Sequence, residues 1–403
     1  MKSINRNIYM LYLIKVAKWF MLVMPIIVLF YQSHGLSLRD VLTVQAVYSV
    51  SIVLWEIPSG YAADYWGRRK TIILGSILGT IGFVIYSFAN GFWGFIAAES
   101  VLGIGISLIS GADSAILYDS LVEKGRQNEY MKLEGRVISI GNFSETLAAL
   151  AGGLLAEISL RTPFIAQSFV AFIAVPASFL LYEPARTKPI IQAGMRHILS
   201  IVRHSLFVDK DLRRNIMYSA IIGSATLSMA WFLQPYLQAE LKMSAAHIGI
   251  TWFIMNLAVG LATLIAYKVE KVAGARNTLI LIALAIPGGY ILMAYIHSWI
   301  VLGVVLLFYI VRGIATPVLK DYINRITTSD IRATVLSVRN FLIRILFSII
   351  GPFVGYFADV YSLRQALYLA GTLFFIFSAI TLLFFLKSLP RNNIITKVNS
   401  DGF

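Results

Sequence analysis

Apolar residues in this chain gather into long runs parted by short polar breaks. Crossing the hydrocarbon core of a bilayer takes about 20 apolar residues in a helix. On that scale the runs predict spans at 8–31, 40–63, 71–89, 92–117, 131–158, 163–182, 213–238, 244–268, 277–296, 299–319, 332–358 and 365–387. The short break at Asn90-Gly91 is easily misplaced. The first run, apolar from residue 7 to 31, lacks a small-residue cleavage pattern and reads as an uncleaved first helix.

Composition agrees with an all-α integral membrane protein. Of 403 residues, 58% are hydrophobic and 13% charged, too little charge to cover a soluble domain of this size. With no cysteine, disulfides and thiolate metal sites are excluded. The net charge of +14 raises the question of nucleic acid, but its distribution answers it. Both terminal segments, the central break and alternate loops hold 24 of the 34 Lys and Arg, whereas the opposite loops hold 4: Arg39, Arg161, Lys242 and Arg364. The positive-inside rule then places both termini in the cytoplasm, as an even number of spans requires. The basic excess is topological, so no nucleic acid partner is expected.

The longest polar break divides the chain. It predicts an amino-terminal six-helix half at 1–182, a cytoplasmic linker at 183–212, a carboxy-terminal six-helix half at 213–390 and a cytoplasmic tail at 391–403. Within the linker, Ile198, Leu199, Ile201, Val202 and Leu206 lie among Arg196, Arg203 and His204, which suits an amphipathic helix on the membrane surface. Two six-helix halves suggest a transporter with its site between them.

After the second span the chain reads Gly60-Tyr-Ala-Ala-Asp64-Tyr-Trp-Gly67-Arg68-Arg69-Lys70. Gly60 removes a side chain, which would let a neighbouring helix approach closely. Asp64 ends a helix, where a carboxylate needs nearby cations, and Arg68 and Arg69 supply them. Asp119, ending the fourth span at the same face, is a further expected partner. Such a cluster can latch one conformation and release in another, although plain topology-setting charge is the simpler alternative.

This loop resembles the signature between helices 2 and 3 of the major facilitator superfamily, G-x-x-x-D-(R/K)-x-G-(R/K)-(R/K), with Tyr65 in place of a basic residue. The carboxy-terminal half carries a faded counterpart in Glu270-Lys271-Val-Ala-Gly274-Ala-Arg276, and Gly351-Pro352-x-x-Gly355 also looks facilitator-like. The resemblance thus covers essentially the whole chain. It implies the twelve-helix facilitator fold, alternating access, a gating role for the Asp64–Asp119 cluster and a working monomer. In one respect the chain departs from the drug–proton antiporters of that superfamily. Their G-P-x-x-G-G of the fifth span is here Ala148-Ala149-Leu150-Ala151-Gly152-Gly153.

An ionised side chain at the bilayer centre costs about 2.5–3.5 kcal/mol on insertion scales, so such residues face partners or a wet cavity. The amino-terminal spans hold Lys15, Lys18, Glu56, Glu99, Asp113, Arg136 and Glu145; the carboxy-terminal spans hold Arg312, Arg339 and Arg344. By resemblance, spans 1, 4, 7 and 10 line the central cavity. Lys15, Lys18 and Trp19 share one face of span 1, and Trp231 and Gln234 stand i, i+3 on span 7. With Arg312 and Arg344, these are the candidate cavity and substrate residues. Lys15 snorkelling to the interface and Trp231 serving as a packing aromatic are the bland alternatives.

Glu56 and Arg339 lie at matching depths, about 10–12 Å inside the cytoplasmic surface, which predicts an ion pair across the halves when that side is closed. Glu145 and Glu99 are the candidate proton carriers, since burial favours the protonated acid; the alternative is permanent pairing with a cation. Asp113 lies near enough to the cytoplasmic face to be structural.

The preferred reading is a secondary transporter of the inner membrane that moves a small organic solute, with proton-coupled efflux as the expected direction. No P-loop occurs to provide ATP drive. The alternative is uptake or export of an anionic metabolite such as a siderophore, suited by Lys15, Lys18, Arg312 and Arg344. An enzyme is disfavoured because His34, His197, His204, His247 and His297 are scattered with no catalytic or metal-ligand spacing. A channel is disfavoured because rings of like charge are missing. No cofactor or metal is called for.

Overall fold

A computed structural model describes residues 2–184, 200–296, 298–327 and 331–387. Among them, ten continuous helices are long and apolar enough to cross a membrane. Two departures from simple helices bring the count to twelve spans. The 51-residue helix Ala245–Tyr295 turns back at Gly274, whose φ of 78° only glycine adopts readily, and so supplies spans 8 and 9. Span 1 is broken into Lys2–Trp19 and Ile27–Ser33 and is not one continuous helix.

The other spans follow the predicted runs. They are Leu38–Tyr65, Arg68–Phe88, Phe92–Ile109 continued by Ala112–Val122, and Tyr130–Ile158. Span 6 comprises Thr162–Phe172 and Ala174–Phe179, and span 7 is Lys210–Leu241. Spans 10, 11 and 12 are Val301–Arg325, Arg332–Val360 and Leu363–Leu386. Span 4 bends at Gly111, where φ is 82°.

The polar breaks work because they end helices with real caps. Ser37 and Asp40 form a reciprocal capping box at span 2, with Ser37 N donating to Asp40 Oδ2 at 3.1 Å and Asp40 N to Ser37 Oγ at 3.2 Å. Asp209 accepts from Asp211 N and Leu212 N at 2.9 Å and so starts span 7.

Of the linker, residues 183–184 and 200–212 are described. Ile201 is buried with Leu212, Ile216, Ile323 and Val335. The described end of the expected surface helix therefore docks on the carboxy-terminal half, because Ile201 finds protein to cover it. The stretch 185–199 and the tail from 388 lie outside the described residues.

We call the face that carries the first helix's start and the last helix's end the terminal face. Buried side chains are grouped differently on the two faces. One large cluster joins the halves, and the amino-terminal half enters it only with far-face residues such as Val28, Val41, Phe95 and Phe164. At the terminal face the clusters are separate: Leu11, Ile72, Leu117 and Val137 in one half, Ile216, Ile323 and Val335 in the other. The halves are thus joined at the far face and parted at the terminal face.

Candidate functional site

Three contacts close the far face, each joining a span of one half to a span of the other. Spans 5 and 8 meet through glycines. A Cβ on Gly249 would stand 2.7 Å from the Ala149 carbonyl and 2.8 Å from Gly153 Cα, so only glycine allows this approach. Spans 2 and 11 meet likewise at Gly355, where a Cβ would lie 2.9 Å from the Leu38 carbonyl. Spans 1 and 7 are tied by Gln234, which is fully buried: Val28 N donates to its Oε1 at 2.9 Å, and its Nε2 donates to the Met24 carbonyl at 2.7 Å.

Two carboxylates complete this closure at helix N-termini. Asp359, ending span 11, accepts from Leu38 N and Arg39 N at 2.8 Å each. Glu157, ending span 5, accepts from Ala246 N at 2.8 Å. Each thus caps the first turn of a helix in the opposite half, where negative charge is favoured.

Between the halves lie opposed charges. Glu145 of span 5 sits within the field of Arg312 of span 10. The Arg312 guanidinium stands over the Tyr309 ring at 5.4 Å. Glu56 of span 2 is exposed and is acted on by Arg344 and Ser337 of span 11. Arg344 also acts on Tyr48, which lies in turn within reach of Glu99.

Glu99 itself is enclosed by the amino-terminal half. Its Oε1 accepts from Gln45 Nε2 and the Tyr86 hydroxyl, both at 2.6 Å, and from the Tyr31 hydroxyl at 3.0 Å. Phe95 packs against both tyrosine rings, and Phe164 against that of Tyr86.

Two separable halves, charges facing each other between them and a seal on one face only are the parts of an alternating-access carrier. A family model, the Major Facilitator Superfamily, matches residues 8–349. The chain belongs to the major facilitator superfamily. It is a multi-pass membrane transporter and not an enzyme. Its sequence is 24% identical over 357 residues to the class H tetracycline resistance protein of Pasteurella multocida, covering 84% of this chain and 85% of that protein. It is 26% identical over 257 residues to multidrug resistance protein MdtG of Salmonella arizonae, covering 61% of each. In fold it resembles the nucleoside transporter NupG, with a TM-score of 0.79, 15% identity and coverage of 96% of this chain and 99% of that one.

The facilitator signature is built as a cap and a bridge. Gly67 takes a φ of 110° and starts span 3. Arg68 pairs with Asp119 and also donates to the Ala115 carbonyl, as the expected link requires. Arg69 donates to the Phe179 carbonyl at 2.7 Å. The Asp64 side chain lies outside the described residues. Gly60 departs from expectation: a Cβ there would meet nothing within 4 Å, because the helices are apart at the terminal face.

A partner the sequence reading missed is Glu183, which accepts from Arg68 N at 3.0 Å and Arg69 N at 2.6 Å. It joins the end of span 6 to the start of span 3. The only sequence signal was an acid placed just after a span. In the second half, Glu270 accepts from Tyr322 at 2.8 Å and faces Arg325 at 3.8 Å, so the faded counterpart keeps its own bridge.

Other expected site residues stand as follows. Arg339 donates to Ser219 within its own half; its pairing with Glu56 is expected only when the terminal face is closed, and here the halves are parted there. Gln234 serves as a tie and lines no open cavity here. Trp231 is buried in the joint cluster and packs. Lys15 and Lys18 share a face, as their spacing implies, but line a small pocket with Asp113, Ser114 and Glu134 inside one half. Lys15 Nζ also stands over the Trp19 ring at 5.3 Å. Glu99 has no cation partner, and Glu145 has Arg312 nearby but makes no ion pair within 4 Å among the described residues. Arg136 is exposed.

Proposed function

We propose that this facilitator exports a small amphipathic organic solute across the inner membrane in exchange for protons, working as a monomer. The single observation behind this reading is Glu145 facing Arg312 between halves that are sealed at one face only. With the terminal face in the cytoplasm, as the loop charges imply, the structure is the inward-facing state. A carboxylate poised opposite a guanidinium can release the cation when it takes up a proton, so proton occupancy and the separation of the halves become one equilibrium. The Arg68–Asp119 bridge and the Glu183 cap serve as a cytoplasmic hinge plate in this reading. The similarity to tetracycline and multidrug resistance proteins supports efflux over uptake. Arg312 and Arg344 favour an anionic solute as the second reading.

Cells expressing the protein are expected to accumulate less of at least one amphipathic dye than cells expressing Glu145→Gln. A protonophore should abolish the difference. Equal accumulation across cationic, neutral and anionic dyes would remove the export reading.

A further inference from the structure

Arg339 of span 11 is only 5% exposed, yet its two hydrogen-bond acceptors are both neutral. Its Nε donates to Ser219 Oγ, and its Nη1 donates to Asn340 Oδ1 at 3.1 Å. A guanidinium carries five N–H donors, so three are left without an acceptor among the described residues. Lys320 of span 10 acts on Arg339 as a second positive charge. Neither cation forms an ion pair within 4 Å among the described residues. Two cations thus stand together in the carboxy-terminal half with no negative charge between them.

Helix packing brings these groups to one place. Ile216, Ile323 and Val335 of spans 7, 10 and 11 share a buried cluster at the terminal face. Ser219, Lys320 and Arg339 stand three or four positions from them, one turn deeper along the same helix faces. One turn deeper again, Ile343 lies against Gly223, where a Cβ would stand 2.4 Å from Ile343 Cδ1. Apolar contacts therefore bound the polar group on both sides along the helix axes. Lys320 is exposed and forms its solvent-facing edge.

We propose that Ser219, Lys320 and Arg339 form a binding site for a small monovalent anion, which occupies the place expected for the Glu56 carboxylate when the terminal face closes. A buried charge is costly unless it is paired, and hydrogen bonds between a guanidinium and an anion are among the strong ones. With the halves parted, Glu56 faces Arg344 and Ser337 instead. An anion from solution then reaches the site past Lys320. Its match is a compact ion of one negative charge, because the group it replaces is a single carboxylate. Closure requires the anion to leave, so anion binding favours the parted state by its differential affinity. The role in the cycle rests on the inward-facing reading above; the site itself does not. This anion is a regulatory ligand, distinct from the solute and from the proton.

Thermal unfolding of the purified full chain in detergent tests the site, with chloride replacing gluconate at fixed pH and ionic strength. Neither side of a membrane enters this measurement, so it stands apart from the inward-facing reading. The wild-type midpoint is expected to rise and saturate with chloride. Lys320→Gln should need several-fold more chloride for the same rise, and Arg339→Gln should show none. Lys320 is exposed, so its variant carries the test even where Arg339→Gln fails to fold. Lys271→Gln, at an exposed lysine of the same face, should match the wild type. The competition with closure is read by pulsed electron resonance in nanodiscs. Spin labels on Asn128→Cys and Asn277→Cys, exposed at the terminal face of opposite halves, are the only cysteines in the chain. Chloride should deplete the short-distance population in the wild type and leave it unchanged in Lys320→Gln. The proposal is overturned by a wild-type midpoint indifferent to chloride, by a Lys320→Gln protein that responds like the wild type, or by a wild-type short-distance population that chloride leaves unchanged or enlarges.

Discussion

At the scale of single residues, the two glutamines Gln167 and Gln234 do matching work from opposite halves. The break in span 1 frees backbone groups in a setting without water, where each must find a partner. Gln167 Oε1 accepts from Leu22 N at 2.8 Å, and Gln234 serves both Val28 and Met24. The glycine pair of span 5 fits the same place: a Cβ on Gly152 would collide with the Leu22 carbonyl, and one on Gly153 would stand 2.9 Å from Gly249 Cα. Gln234→Leu would strand a buried donor and a buried acceptor, at about 1–3 kcal/mol each. Its thermal unfolding in detergent is expected several degrees below wild type; an unchanged midpoint would mean that water replaces the amide. None of this was legible beforehand. The i, i+3 spacing put Trp231 and Gln234 on one face but did not say that span 1 would cover it, and the glycine pair read only as the remnant of a motif.

At the scale of helices, the seal at the far face depends on ends as much as on faces. Asp359 of span 11 caps span 2, while Glu157 of span 5 caps span 8, so each half lends a carboxylate to a helix start in the other. Replacing a cap of this kind costs about 0.5–2 kcal/mol. Asp359→Asn and Glu157→Gln should therefore each raise the outside labelling of Ala46→Cys by an impermeant maleimide several-fold, and the double variant should raise it further. Ala46 is buried and its carbonyl accepts from Ser348 of span 11, so labelling there reports separation of spans 2 and 11. Labelling that stays at the wild-type rate in the double variant would show that the glycine contacts alone hold the seal. Span positions were legible because a run of about 20 apolar residues has few other uses. The break at 20–26 was not, since hydropathy does not change there and Pro25 is the sole mark. Glu183 escaped for a related reason: its partners are backbone N–H groups more than a hundred residues away.

At the scale of the whole molecule, one joint core at the far face and two separate cores at the terminal face fit the inward-facing state proposed above. The Glu56–Arg339 pair was expected for the other state, and here Arg339 rests on Ser219 instead. Intramembrane charges could be read as functional from the sequence, but their sorting could not. Lys15 and Lys18 came to line a small pocket with Asp113 and Glu134 inside their own half, whereas Glu145, Arg312 and Arg344 came to lie between the halves. Proton exchange through Glu145 is the central claim. Inside-out vesicles energised to an acidic lumen, given a compound panel and followed with a fluorescent pH probe, test it most directly. Compound-dependent proton release with the wild type and none with Glu145→Gln is the predicted result. Release that persists undiminished in Glu145→Gln, or silence of the wild type to every compound, would contradict the account.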